Sequence, residues 1–196
     1  MSKWYIPDTT FYMHDYAEGE TGGCSIDGVP NFEWSIKRAS DLFGGKRVVI
    51  FALPGAFTPT CSSAQLPGYE LNYDKFKELG IDEVYCTSVN DAFVMRSWAV
   101  DQGLQNIKML PDGNGDFAKG MEMLVDKSNL GFGQRSWRYA MVVDDLNIER
   151  MFAEDQWTAD LYPVDPFEVS NAENVLAYLS NPHAEEPEQQ LELWNG

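Results

Sequence analysis

The stretch Lys46-Arg47-Val48-Val49-Ile50-Phe51-Ala52-Leu53-Pro54-Gly55 carries an apolar run that ends on a break. Val48 to Phe51 are β-branched or aromatic with no polar alternation, the pattern of a strand buried on both faces, as central strands of parallel sheets are. Pro54-Gly55 stops the strand. From Pro59 the chain can turn helical. After Pro67-Gly68, the stretch Tyr69 to Leu79 places Leu71, Lys75, Phe76 and Leu79 at helical spacing, closed by Gly80. That is one β-α step.

Downstream the step repeats. Glu83 to Val89 reads as a strand, Asp91 caps a helix running to about Gln102, and Gly103 ends it. Ile107 to Leu110 is a third short strand. Pro111-Asp112-Gly113-Asn114-Gly115 is a turn into a short helix from about Asp116 to Met123. Ser136 to Val143 and Asn147 to Ala153 form a hairpin, and Ser170-Asn171-Ala172-Glu173 is a capping box that opens a helix to about Leu179. Upstream, Thr10 to Tyr16 is β-like and Glu18 to Pro30 is a glycine-rich loop carrying Cys24, together an N-terminal hairpin or meander within about residues 1–45. The order predicts an α/β protein with a thioredoxin-like fold, a mixed central sheet with helices on both faces. Residues 1–180 are expected to form a single domain. Residues 181–196 form an acidic tail with four glutamates and no basic residue, solvated unless Leu191, Leu193 and Trp194 dock.

The chain has 196 residues with 31 acidic and 14 basic side chains, a net charge of −17. Such a surface repels phosphate backbones and anionic bilayers, so neither nucleic acid nor membrane is an expected partner. The longest apolar run, Val48 to Leu53, is far short of the roughly 20 residues that span a bilayer, and Met1 to Pro7 contains no apolar targeting run. A soluble, cytoplasmic protein is expected. Cys24, Cys61 and Cys86 form no CxxC pair and no Cys/His zinc spacing. Asp112 to Asp116 imitates the start of an EF-hand loop, but Phe117 and Met123 stand where that loop needs Gly and Glu. No metal and no cofactor are expected. His14 and His183, the only histidines, leave a Cys-His dyad little material.

Val48 to Tyr69 is 22 residues without a charge, in a chain that is 23% charged. Burial explains its strand half but not Pro54 to Tyr69. Within it, Thr58-Pro59-Thr60-Cys61 reads as a helix start, with Thr58 as N-cap, Pro59 at N1 and Cys61 at N3. Free N–H groups and the macrodipole favour a thiolate there, and a nearby carboxylate would oppose it. Against this stands the usual fate of a free cysteine, a small hydrophobe in a core. On the later hairpin, Arg138, Ala140 and Val142 share one face and Trp137, Tyr139, Met141 and Val143 the other, so Arg138 is expected to be partly buried.

Pro54-Gly55-Ala56-Phe57-Thr58-Pro59-Thr60-Cys61-Ser62 closely resembles the peroxidatic loop of the peroxiredoxins, PxxxTxxC, in the form typical of the type II (peroxiredoxin 5-like) branch. The likeness extends to Leu66-Pro67-Gly68-Tyr69, to Val89 through Met95 with Trp98, to Leu110 through Gly115 and to Arg135 through Val143, over roughly residues 30–180. The resemblance implies a thiol peroxidase for hydrogen peroxide and alkyl hydroperoxides, in which Cys61 attacks the O–O bond and becomes a sulfenic acid. It also implies that Thr58 and Arg138 hold the peroxide oxygens and the thiolate, that Pro54 shields the pocket and that Phe132 borders it. Arg135 fits the same block or is an ordinary loop arginine.

The chain departs from the pattern where the sulfenic acid is resolved, because no cysteine follows Cys86. Cys86 matches a second cysteine of plant-type relatives and is a possible resolving residue, though Tyr85-Cys86-Thr87 belongs to a strand where burial is the default. A one-cysteine mechanism reduced by glutathione with glutaredoxin, or by thioredoxin, is the expectation, as is a homodimer through Phe57, Phe93 and Trp98. A peroxide sensor or redox-regulated holdase would use the same cysteine. A thiol-disulfide oxidoreductase is disfavoured, since Thr58 stands where the first cysteine of CxxC belongs.

Overall fold

The computed structural model describes residues 5–16, 32–155 and 165–182. The glycine-rich loop Glu18 to Pro30 with Cys24, as well as His183 and the tail beyond it, lies outside the described residues. Strands β1 (Thr10–Tyr16) and β2 (Phe32–Arg38) pair antiparallel as a sheet of their own, which is the expected N-terminal hairpin. Then follow α1 (Ala39–Phe43), β3 (Arg47–Ala52), a wide π-type turn at Cys61–Gln65, α2 (Leu66–Leu71), α3 (Tyr73–Glu78), β4 (Glu83–Ser88), α4 (Ala92–Asp101) and β5 (Lys108–Pro111). The chain continues through α5 (Asp116–Gly120), β6 (Leu124–Asp126), β7 (Gln134–Ser136), β8 (Tyr139–Asp144), β9 (Asn147–Ala153) and α6 (Ala172–Ser180).

The main sheet has the order β5-β4-β3-β8-β9. Strands β3, β4 and β5 run parallel, and β8 and β9 antiparallel, the expected mixed sheet. The apolar run of β3 is central, and its alternate residues supply two cores. Val49 and Phe51 face Leu66, Tyr69, Phe76, Met95, Trp98, Val175 and Leu179 on α2, α3, α4 and α6. Val48 and Ile50 face Phe43 of α1, Phe117 of α5 and Phe11 of β1. Helices therefore cover both faces, the thioredoxin-like arrangement. The alternation expected for the second hairpin also holds, with Ala140 and Val142 in the first core and Trp137, Tyr139, Met141 and Val143 in the second.

Four local expectations are corrected. The helix expected over Tyr69 to Leu79 breaks at Asn72, whose Nδ2 donates to the Gly68 carbonyl at 2.8 Å, and the break turns Leu71 out to solvent at 86% exposure. The strand expected over Ser136 to Val143 is two pieces, since Ser136 pairs with Leu124 in the β6-β7 ribbon and β8 starts at Tyr139. Asn171 rather than Ser170 caps α6, accepting from Asn174 N–H at 2.8 Å, because the Ser170 hydroxyl donates to Glu154 instead. The short helix after Gly115 stops at Gly120 instead of Met123. Its start is held by buried Asp112, whose carboxylate accepts from Phe117 and Ala118 N–H at 2.9 and 2.8 Å.

Candidate active site

After β3 the chain leaves the sheet through Pro54 and Gly55, both buried, and turns helical at Pro59. The loop between is tightly held. Ala56 N–H donates to Asn90 Oδ1 at 3.0 Å, and the Ser88 hydroxyl donates to the same oxygen at 2.8 Å. Phe57 adopts φ +61°, a left-handed conformation costing a non-glycine residue roughly 1 kcal/mol, which those anchors offset. Gly55 is closely surrounded: a Cβ there would stand 3.2 Å from both Arg135 Nη1 and Thr58 Cγ2, so a side chain would require either neighbour to shift by a few tenths of an ångström.

Thr58 precedes the helical turn, as expected, and its carbonyl accepts the first helical bond from Ser62 N–H at 3.0 Å. Its hydroxyl does not cap that turn: it donates back to the Gly55 carbonyl at 2.7 Å. Cys61 follows at the third helical position and is fully buried. Here the helix widens, with Leu66 N–H bonding the Cys61 carbonyl in the i to i+5 pattern of a π turn. Cys61 and Gln65 thereby present their side chains to the same neighbour.

That neighbour is Arg138. It lies one residue before β8, with no exposed side-chain surface, and Nη1 donates to Cys61 Sγ at 3.5 Å. Nη1 also bonds Gln65 Oε1, and Nη2 forms an ion pair with Asp165. The guanidinium lies 5.6 Å from the Phe167 ring centroid. Nε is a buried donor with no partner among the described residues. Burial works to lower the Arg138 pKa, but Cys61 and Asp165 beside it outweigh this and hold it above its ordinary value. The cation is therefore permanent, with one face of its fork on sulfur.

Asp165 and Phe167 belong to a segment that Glu154 holds down. Glu154 Oε1, buried at the end of β9, accepts from the N–H groups of Glu168, Val169 and Ser170 at 3.0, 3.0 and 2.9 Å, and from the Ser170 hydroxyl at 2.7 Å. From the other side, Tyr69 of α2 donates its hydroxyl to the Ser170 carbonyl at 2.8 Å. Four donors on one carboxylate oxygen make this strap a fixed part of the site's wall.

Of the residues expected at the site, Cys61 and Arg138 are in contact, Thr58 stands three residues before Cys61 with its hydroxyl on the Gly55 carbonyl, and Pro54 is buried where the loop leaves β3. Phe132, 36% exposed, is joined to them through Arg135, whose Nε donates to the Phe132 carbonyl at 3.0 Å and whose Nη1 donates to the Val89 carbonyl at 3.3 Å. Arg135 is therefore engaged with the loop rather than free in solvent. Cys86 is buried in β4, opposite Phe51, and burial pushes its thiol well above the ordinary value. Gln65, Asn90, Glu154 and Asp165 are the site residues that sequence reasoning missed. Gln65 left a signal of its own, a polar side chain four residues after Cys61 inside the charge-free segment, and Asn90 stands within the Val89 to Met95 block without being singled out there.

Among the described residues no helix is long and apolar enough to cross a membrane. The Redoxin family model matches residues 36–176. A peroxiredoxin of Synechocystis sp. is 54% identical over 160 residues, 82% of this chain and 84% of its own length. Reduced Prx3 of Vibrio vulnificus in complex with H2O2 has a TM-score of 0.73 at 38% identity, covering 90% of this chain and 96% of that one. The Plasmodium falciparum antioxidant protein, a 1-Cys peroxiredoxin, has a TM-score of 0.81 at 33% identity, covering 92% and 99%. With this likeness running through both the sheet and the Cys61 loop, the chain belongs to the peroxiredoxins, the thiol peroxidases of the Redoxin family.

Proposed function

We propose that Cys61 is the peroxidatic cysteine for hydrogen peroxide and alkyl hydroperoxides, with Arg138 and Thr58 binding the peroxide oxygens, Pro54 shielding the pocket and Phe132 bordering it. The observation that carries this reading is the 3.5 Å contact between Arg138 Nη1 and Cys61 Sγ at a buried helix start. The Cys61 thiolate attacks one peroxide oxygen, the O–O bond breaks, and the departing oxygen leaves as water or alcohol after taking a proton. Sulfur is left as a sulfenic acid. Full ionisation of an ordinary thiol near neutral pH gains only roughly 30-fold in reactive form, about 2 kcal/mol. The larger part must come from donors aimed at charge developing on the leaving oxygen. Among the described residues the unpartnered Nε–H of Arg138 is the donor present for that task, while the Thr58 hydroxyl, whose one proton goes to the Gly55 carbonyl, can accept from the peroxide O–H.

A one-cysteine cycle follows, in which an external thiol, glutathione with glutaredoxin or thioredoxin, condenses with the sulfenic acid, releases water and is displaced by a second thiol. Burial of Cys86 in a central strand, with its thiol held protonated, supports this over a Cys61–Cys86 disulfide. So does the likeness to a protein described as 1-Cys. The test is peroxide consumption with each reductant, followed by intact mass of the oxidised protein under denaturing conditions. Cys24→Ser and Cys86→Ser are expected to keep most of the wild-type turnover. Loss of turnover in either variant would overturn the one-cysteine cycle.

The unit that performs this cycle is the single domain of residues 1–180, and it works as a homodimer in the cytoplasm. Phe57 and Phe93, 53% and 47% exposed beside the site, support the dimer. Trp98, expected among them, fills the core instead, its Nε1 donating to Ser62 Oγ at 3.0 Å. Two subunits of −17 repel, and salt screens that over about 10 Å at 0.1 M. Association is therefore expected to tighten with ionic strength, and sedimentation of the reduced protein as a monomer at both low and high salt would exclude it.

A further inference from the structure

Around Cys61 the sequence is free of charge, yet the fold returns one carboxylate to the site from the far end of the chain. Asp165 pairs with Nη2 of Arg138, the same guanidinium whose Nη1 meets Cys61. Arg138 has no exposed surface, whereas the Asp165 side chain is 43% exposed. The carboxylate is thus the outward-facing end of a buried cation. With Cys61 as thiolate, the three groups sum to one net negative charge, and the buried positive charge is already matched on its solvent side.

We propose that Asp165 is a specificity-determining residue that makes the Cys61 site select neutral peroxides against anionic ones, so that alkyl hydroperoxides are preferred over hydroperoxides bearing a carboxylate. A neutral peroxide approaches the thiolate without a Coulomb penalty and uses the remaining Arg138 donor. An anion approaching the same sulfur meets a thiolate whose counterion is shared with Asp165. Glu154 anchors residues 168 to 170 of the same segment through four hydrogen bonds, and the Asp165 carboxylate itself is held by its ion pair with Arg138. Phe167 over the guanidinium presents an apolar surface that suits an alkyl substituent. The inference deepens the peroxidase reading and rests on it for its substrates.

The experiment uses the full chain in its reduced form. Cumene hydroperoxide and a carboxylate-bearing fatty-acid hydroperoxide are compared in wild type, Asp165→Asn and Asp165→Glu. In parallel, alkylation of Cys61 by iodoacetamide and iodoacetate is followed by mass spectrometry of the Cys61 peptide, which needs no peroxide. Asp165→Asn is expected to shift both neutral-to-anionic rate ratios towards the anion by about threefold to tenfold, the partial exposure of the carboxylate moderating a larger Coulomb effect. Asp165→Glu is expected to keep the wild-type ratios, and high salt to narrow them in wild type. Equal slowing of both members of each pair by Asp165→Asn would show that Asp165 only holds Arg138 in place and would overturn the proposal, as would unchanged ratios. A wild-type protein that consumes no cumene hydroperoxide would instead overturn the alkyl hydroperoxide part of the proposed function, while the alkylation pair still reports on the charge discrimination.

Discussion

Cys61→Ser is expected to abolish peroxide turnover, a loss of at least about 1000-fold or roughly 4 kcal/mol of transition-state stabilisation, because a serine hydroxyl in the same place is neither ionised nor a soft nucleophile. The substitution is close to isosteric, and Cys61 sits in a fully packed core whose other members are untouched. The fold should therefore survive, and thermal melting of the variant separates a dead enzyme from an unfolded one. Turnover within tenfold of wild type would remove Cys61 from the mechanism. It would leave only the bland alternative, a cysteine that fills space under α2.

Arg138→Lys should lower the rate constant for reaction with peroxide by at least about tenfold, or about 1.4 kcal/mol, while the reductive half of the cycle changes less. The geometry gives the reason. One planar group simultaneously reaches Cys61 Sγ and Gln65 through Nη1 and Asp165 through Nη2. A single ammonium keeps the charge but cannot span those positions in a plane, and it would leave Gln65 or Asp165 without its partner. Stopped-flow measurement of peroxide reaction against the reduced protein reads the effect directly. A near-wild-type rate would assign Arg138 a purely structural part, as a buried cation tying β8 to the Asp165 strap.

Some of this site was legible in the amino-acid order. Cys61 stood out because local rules sufficed: a strand with no polar face, a Pro-Gly stop, a Thr-Pro helix start and a long gap in charge. Arg138 was legible more faintly, through the strand alternation that put it with Ala140 and Val142, and that face is the one that meets the helix bearing Cys61. The strap was not legible. Asp165 and Glu154 look like two of many acids in a chain of net charge −17, and their meaning depends on which donors the fold brings to them. Ser170 shows the same failure at small scale: its local rule, the capping box, lost to a buried carboxylate 16 residues away in the chain. Trp98 likewise sits on a helix near the candidate interface, and only packing decided that its ring faces inward.

The sequence by itself determined the parts whose causes are short-ranged: the central strand, the stop at Pro54-Gly55, the helix start that holds Cys61, the Asp91 cap and the alternation of the second hairpin. Backbone propensity, capping and side-chain period act within a few residues and are written in order along the chain. Only the tertiary structure decided which charged groups meet Cys61. Arg138 lies 77 residues from Cys61 in the chain, and Asp165 a further 27 from Arg138. No periodic signal spans such distances. Their encounter depends on β8 inserting beside β3 and on Glu154 gathering the chain before α6, and both are consequences of burying two faces of one sheet at once.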